Sequence, residues 1–193
     1  AYELQGVATS PLVPASSASF ADPNGTSGVA WGDFDNDSDP DLFLSGWLDG
    51  GRLFVNDGGV FDLEPIEACW PDSTGGGGVA WGDHDGDGAP ELLSGHYYTT
   101  DKIVEFEGQI PSCKIPGGIT AVDRTAAVNW VDVDGDGWLD AFMANVGPSN
   151  MLLRNVHGVL ERVPSVAIEG DDQASQGVSR AALQACAVRS GLD

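Results

Sequence analysis

The sequence predicts an all-β fold of propeller-type, four-stranded antiparallel blades, with three blades recognisable. Three observations predict it. First, one block recurs: residues 28–41 read GVAWGDFDNDSDPD, 78–91 read GVAWGDHDGDGAPE and 127–140 read AVNWVDVDGDGWLD. Self-similarity at a period of ~40–50 residues marks a stacked repeat architecture. Second, each repeat holds four short apolar runs bounded by Gly, Asp and Asn, the pattern of strands joined by tight turns. Third, Gly (27) and Pro (11) are abundant, while 41% of the residues are apolar. That balance favours a turn-rich β protein with a real core over a helical bundle or a disordered chain.

Taken in order, residues 1–27 form an N-terminal segment with short apolar runs at 2–7 and 12–13. It is a candidate outer strand of a closing blade. Blade 1 spans 28–77, with strands expected at 29–32, 42–45, 53–55 and 60–63. Blade 2 spans 78–126 and blade 3 spans 127–170. RLFVN at 52–56, KIVEF at 102–106 and MLLRN at 151–155 fall at matching offsets. Tight connections make each repeat a meander. A single blade cannot bury both faces, so blades must stack. Trp31, Trp81 and Trp130 stand two positions before the first Asp of each block and are expected to pack between blades. Residues 171–193 are atypical. Gly177-Val178-Ser179 begins like a fourth blade, but no acidic loop follows. The stretch 174–190 favours a short helix, with a fourth innermost strand as the alternative. Three blades make an incomplete propeller. Its open edges call for a protein partner or self-association, because bare strand edges and faces are normally covered.

Charge excludes some partners. Thirty Asp and Glu against eight Lys and Arg give a net charge of −22. Such a surface repels nucleic acid phosphates and anionic lipid. No apolar run approaches the ~20 residues of a membrane helix. The N-terminus lacks the basic start and apolar stretch of a signal peptide, so a secreted form would be the mature one.

The acid is concentrated in one kind of loop. Between the first two strands of each repeat lies D-x-D-x-D-x-x-x-[DE]. The first loop offers Asp33, Asp35, Asp37 and Asp41, the second Asp83, Asp85, Asp87 and Glu91, the third Asp132, Asp134, Asp136 and Asp140. Four carboxylates so close repel one another without a counter-ion. Ca²⁺ resolves this, since it takes 6–8 oxygen ligands, and about three ions are expected, one per loop. Backbone carbonyls at position seven complete the sets: Asp39, Ala89 and Trp138. Glycine at position six allows the bend in two loops (Gly88, Gly137), whereas Ser38 predicts a looser first site. Mg²⁺ suits the loops less well, because it demands octahedral geometry. An EF-hand needs an acid at position twelve, where Leu44, Ser94 and Met143 stand. His84, at position two, is expected to point to solvent.

GVAWGDFDNDSDPDLFL followed by RLFVNDGGVF resembles the FG-GAP/VCBS repeat family, the blade type of integrin α heads. The resemblance covers roughly residues 20–168. It implies a β-propeller with calcium in the first interstrand loop of each blade, held by the twelve carboxylates above. It also implies adhesion or ligand binding in an extracellular, periplasmic or organelle-lumenal setting. The chain departs from the family in its blade count, three where about seven are usual, and in its C-terminus.

The second face of such a stack would carry Trp47, Trp70, His96, Tyr97, Tyr98 and Asn145. Loop aromatics stack on sugars or anchor proteins; capping of the core is the alternative. Cys69 and Cys113 fall in the connections leading into blades 2 and 3, at one end of neighbouring blades. A disulfide there would suit an oxidising compartment, with two buried thiols as the alternative and Cys186 left over. No nucleophile elbow, phosphate loop or zinc-spaced His cluster is present. The reading is therefore a non-enzymatic calcium-binding interaction module. The alternatives are a lectin-like glycan binder and an accessory propeller of an enzyme.

Overall fold

The computed structural model describes residues 20, 25–48, 50–64, 66, 69–70, 75–108, 110–117, 119 and 122–163. Nearly all of the proposed N-terminal outer strand, the atypical C-terminal segment and Cys186 lie outside these residues. The described chain is all β. Twelve strands form three four-stranded antiparallel sheets, each a simple meander. The first is β1 (Thr26–Gly32), β2 (Asp41–Gly46), β3 (Gly51–Asp57) and β4 (Val60–Glu64). The second is β5 (Gly76–Gly82), β6 (Glu91–His96), β7 (Lys102–Glu107) and β8 (Ile110–Lys114). The third is β9 (Thr125–Val131), β10 (Asp140–Asn145), β11 (Met151–Val156) and β12 (Val159–Arg162). The innermost strands start about two residues before the repeated block, each with an irregularity in register just after its first residue. Register aligns the repeats: Gly32 pairs with Asp41, Gly82 with Glu91 and Val131 with Asp140.

The second strand of each sheet is buried throughout, so both of its faces read apolar. The odd and even residues serve different neighbours. Phe43 and Leu53 of the first sheet meet Val79, Leu92 and Val104 of the second. Leu93 and Ile103 of the second meet Val128, Met143 and Leu153 of the third. Each such side chain contributes roughly 1.5–3 kcal/mol by leaving water. The blades are therefore held by face-to-face apolar packing, as the repeat requires.

At the centre the innermost strands run side by side at backbone contact. A Cβ on Gly28 would stand 2.5 Å from the Gly77 carbonyl oxygen, and one on Gly78 would stand 2.7 Å from Ala127 Cα. Gly76, Gly77 and Gly78 thus have no room for a side chain. These strands border a cavity of about 450 Å³, lined by Ser27, Gly77, Ala126 and Asn129, with Trp47 and Tyr97 at one side.

Cys69 and Cys113 are joined in a disulfide, with Cα atoms 5.5 Å apart. Cys113 lies on the outer strand β8 and not in the connection to the third blade. The bridge ties the segment after blade 1 to the rim of blade 2. Closing a loop of 44 residues contributes ~4 kcal/mol in the chain-entropy account. Lys102 Nζ donates to the Cys69 carbonyl at 2.5 Å, beside the bridge.

Candidate functional site

Each acidic loop begins where an innermost strand ends, and its first Asp organises the bend. The Asp33 carboxylate accepts the N–H groups of Asp37 and Ser38, both at 3.0 Å. Asp83 accepts those of Gly86 at 2.7 Å and Gly88 at 3.0 Å. Asp132 accepts those of Gly135 at 2.7 Å and Gly137 at 3.1 Å. A short acidic side chain that folds back on downstream amides is the usual way Asp nucleates a turn. The fifth position repeats the device, with Asp37, Asp87 and Asp136 each accepting the N–H two residues on.

The ninth position is buried in all three loops. Asp41 accepts the N–H of Phe34 at 3.0 Å through one oxygen and that of Asn56 at 2.8 Å through the other. Asp140 does the same with Val133 at 2.9 Å and Asn155 at 2.7 Å. One carboxylate therefore joins the loop to the third strand of its blade. Burial pushes the Asp41 and Asp140 carboxyls up from the usual range, with the neighbouring Asp charges adding to it. Burial and the Asp37 charge push Asp35 up as well.

The result is convergence of oxygens. One oxygen from each of Asp33, Asp35 and Asp41 lies within 4.8 Å of the others, and the same holds for Asp83, Asp85 and Glu91. Oxygens around a common Ca²⁺ at ~2.4 Å are at most about 4.8 Å apart, so the donor sets fit that ion. The donors are hard oxygens, as Ca²⁺ prefers and Zn²⁺ does not. The third cluster differs. It gathers Asp132, Asp134 and Asp136, without Asp140. There the Arg154 guanidinium from β11 meets Asp134 directly.

The first loop makes the same bend without glycine at its sixth position. Asn36 and Ser38 adopt φ of 59° and 78°, the left-handed bend made by Gly86 and Gly88 and by Gly135 and Gly137 in the other two. Space is open beside Gly88 and Gly137, so the penalty at Ser38 is backbone strain and not a clash.

His84 is not solvent-facing. It is buried, with Nδ1 2.6 Å from Glu91 Oε2, and its ring stacks on Trp130 at 5.4 Å. Glu91 is one methylene longer than Asp, which lets the same oxygen meet both the His84 ring and the His84 N–H. Two asparagines escaped the sequence reading of the site. Asn56 Nδ2 donates to the Pro40 carbonyl, and Asn155 Nδ2 donates to those of Leu139 and His84. Their signal was the Asn that ends RLFVN and MLLRN; Phe106 replaces it in blade 2 and packs on Phe34 and Trp81 instead. Neighbouring loops also touch, since Asn36 Nδ2 donates to the Gly88 carbonyl at 3.2 Å.

On the opposite face the six candidates divide. Trp70, His96 and Asn145 are buried and belong to the core cap rather than to a binding surface. Trp70 packs on Phe43 at 4.8 Å. The His96 and Asn145 N–H groups are satisfied by the side chains of Asp101 at 2.8 Å and Asn150 at 2.9 Å. His96 and Asn145 end second strands, where the register shifts and side chains turn inward. Trp47, Tyr97 and Tyr98 do form a surface cluster, with Trp47 4.9 Å from Tyr97 and 6.0 Å from Tyr98.

Residues 33–94 match the family model of an FG-GAP-like repeat. No curated protein matches the chain. The match spans the first two acidic loops and the strands between them, and with three four-stranded blades it identifies a propeller-type module.

Two predictions follow from this geometry. Ser38→Gly relieves a left-handed non-glycine residue, so it should raise unfolding stability by ~0.5–1 kcal/mol after glycine's own entropy cost. An unchanged or lower denaturation midpoint would contradict the strain. The second concerns pH. Burial, with Lys102 nearby, pushes His96 down to about 3, and burial pushes Asp101 up to about 6. The unfolded chain binds the His96 proton below 6.5, so this group's contribution to stability falls as pH falls. Between 3.8 and about 6 the folded chain holds an Asp101 proton that the unfolded chain has lost, so that contribution rises as pH falls. Asp101→Asn leaves His96 unopposed, and Asn150 fills the matching place in blade 3. Over the Asp101 window the variant should lose stability on acidification more steeply than the native chain, by up to about 1.4 kcal/mol per pH unit. Parallel curves of Tm against pH would refute it.

Proposed function

We propose that the chain is a calcium-stabilised, non-enzymatic interaction module and one section of a larger assembly, outside the cell or in an organelle lumen or periplasm. The observation that carries this is the convergence of carboxylate oxygens at the same corner of three consecutive blades. Asp33, Asp35, Asp37 and Asp41, with the Asp39 carbonyl, would hold the first ion. Asp83, Asp85, Asp87 and Glu91, with the Ala89 carbonyl, would hold the second. Asp132, Asp134, Asp136 and Asp140, with the Trp138 carbonyl, would hold the third. Bound calcium supplies the positive charge that lets these groups stay ionised together. The chain's own part is to aim them: backbone amides fix each carboxylate before any ion arrives, which lowers the ordering cost of binding.

Two further features support the reading. The disulfide between Cys69 and Cys113 fits an oxidising compartment. Val29, Trp31 and Leu63 remain exposed on the face of blade 1 turned away from blade 2, around buried Leu42, Leu44 and Phe54, on which Phe20 packs. Carboxylates committed to a cation and to backbone amides are poor free acids or bases, which argues against hydrolytic chemistry in the loops.

A second reading rests on one observation. Trp47, Tyr97 and Tyr98 cluster beside the central cavity, and flat aromatic surfaces suit sugar rings. A glycan array probed with calcium present distinguishes it, since the first reading expects no glycan signal there.

Calcium should raise Tm, and EDTA should reverse the rise. A site that binds only the folded state adds ~2.7 kcal/mol at one hundred times its Kd. Mg²⁺ at equal concentration should give a smaller shift. A melting curve indifferent to both calcium and EDTA would overturn the proposal.

A further inference from the structure

The three acidic loops carry the same acids but not the same cover. In the first two, the third-position acids Asp35 and Asp85 are exposed. Each converges with the first Asp of its loop and with the buried ninth-position acid, Asp41 or Glu91. In the third loop Asp134 holds the same position, yet its side chain is only 9% exposed. The group that covers it is Arg154, whose Nη2 meets Asp134 Oδ2. The oxygens gathered there are those of Asp132, Asp134 and Asp136, and buried Asp140 is not among them.

Arg154 reaches the loop from β11. Its place in RLFVN, KIVEF and MLLRN is held by Val55, Glu105 and Arg154 in turn, so the position is neutral, acidic and basic across the three blades. Glu105 is paired with Lys114 of its own blade. Among the described residues no Lys or Arg meets an acid of the first two loops. A guanidinium and a divalent ion are drawn to the same carboxylate for the same reason, and each repels the other. At a separation of a few ångströms that repulsion is worth about tenfold in affinity even at a water-like dielectric.

Arg154 also has somewhere else to go. Glu161 stands directly opposite it across the β11–β12 pair and is exposed. Opposite charges at directly opposed positions pair favourably. Arg154 Nε is buried without a hydrogen-bond partner among the described residues, so the contact with Asp134 is what holds the guanidinium at the loop.

We propose that Arg154 is the resident counter-ion of the third loop and that calcium must displace it, which makes this the weakest and last-filled of the three sites. The displaced guanidinium turns to Glu161, so filling the site exchanges a bond to the loop for a bond to the outer strand. This rests on the reading of the loops as calcium sites and adds an order of filling to it. The order departs from the glycine pattern, which singles out the first loop through Ser38.

The test is a calcium titration of the full chain followed by amide exchange. Ser38, Gly88 and Gly137 each donate to the first Asp of their own loop, so each reports its own corner. Protection at Gly137 should need about tenfold more calcium, or more, than protection at Ser38 and Gly88. Arg154→Gln removes the charge and should bring Gly137 into step. Arg154→Lys keeps the charge and should leave it late. Glu161→Gln removes the alternative partner and should delay Gly137 further; an unchanged midpoint would strike the exchange with the outer strand. Without calcium the Arg154→Gln chain should melt below the native one, and saturating calcium should close the gap. An arginine that matters only for packing would leave the gap open in both conditions.

Gly137 protected together with the other two corners in the native chain would overturn the proposal, as would Ser38 protected last, and neither readout needs a variant to fold. Gln and Lys variants that titrate alike would also overturn it. Absence of protection at Ser38 and Gly88 sinks the calcium reading and the order with it. Protection of all three corners in one step sinks the order alone.

Discussion

Each blade turns its first corner by drawing several carboxylates onto its own backbone amides, and the rest of the fold is arranged around that corner. The amide bonds set the bend from within the loop, while Phe34 and His84 at its second position anchor it by packing on Trp81 and Trp130. Asp33, Asp83 and Asp132 each satisfy two or more loop N–H groups that would otherwise face water or lie unpaired. The arrangement has an electrostatic consequence. It places like charges close together and half-buries them, which raises the carboxyls of Asp35, Asp41 and Asp140. A divalent cation is the economical solution, since one ion neutralises two charges and accepts more oxygens than a side-chain cation can meet. Blade 3 meets part of the demand from within, through Arg154 on Asp134.

From the corner the order passes outward. Buried Asp41 and Asp140 carry it to the third strand of their blades through the Asn56 and Asn155 amides. Asn36 and Asn155 carry it sideways to the neighbouring loop. The contacts between blades sit immediately beside these corners, because Gly32 and Gly82, covered by Trp81 and Trp130, directly precede the first Asp, and Phe34 and His84, stacked on those rings, directly follow it. The acidic corner and the packing between blades therefore involve adjacent residues, and a cation held at the corner, as proposed, would steady the contact between blades as well as the loop. The opposite face is fixed differently. There a buried network of Asp101, Thr125, Asn145 and Asn150 closes the strand ends, and Thr125 Oγ1 lies within hydrogen-bond distance of both Asp101 and Asn145.

The strand order, the blade repeat and the position of the acidic loops were legible in the sequence because they follow from local periodicity. Asp33, Asp83 and Asp132 recur with their tryptophans, and four apolar runs lie between. What was not legible depends on contacts between repeats. His84 occupies a loop position that reads as exposed, yet a longer acid at position 91 and the Trp130 of the next blade draw it inward. The need for glycine at positions 76–78 shows only once strands β1 and β9 are placed at backbone contact on either side. His96 and Asn145 look like surface-loop residues because they end their strands, where an irregularity in register turns them into the core, and Trp70 reads as a loop aromatic until its connection folds over Phe43. Ser38 breaks the glycine rule in sequence and obeys the geometry in structure, at the cost of strain. Trp81 and Trp130 pack between blades as their motif predicts, whereas Trp31, identical in motif, does not: it is 58% exposed and meets Phe61 of its own blade.

Amide hydrogen exchange, followed residue by residue with and without calcium, addresses the corner most directly. The loop amides that bond to Asp33, Asp83 and Asp132 sit on exposed turns, so without an ion they should exchange quickly. Calcium should slow exchange at Ser38, Gly88 and Gly137 and at their loop neighbours, well before strand amides elsewhere respond. Exchange at these three corners that is the same with and without calcium would contradict the account.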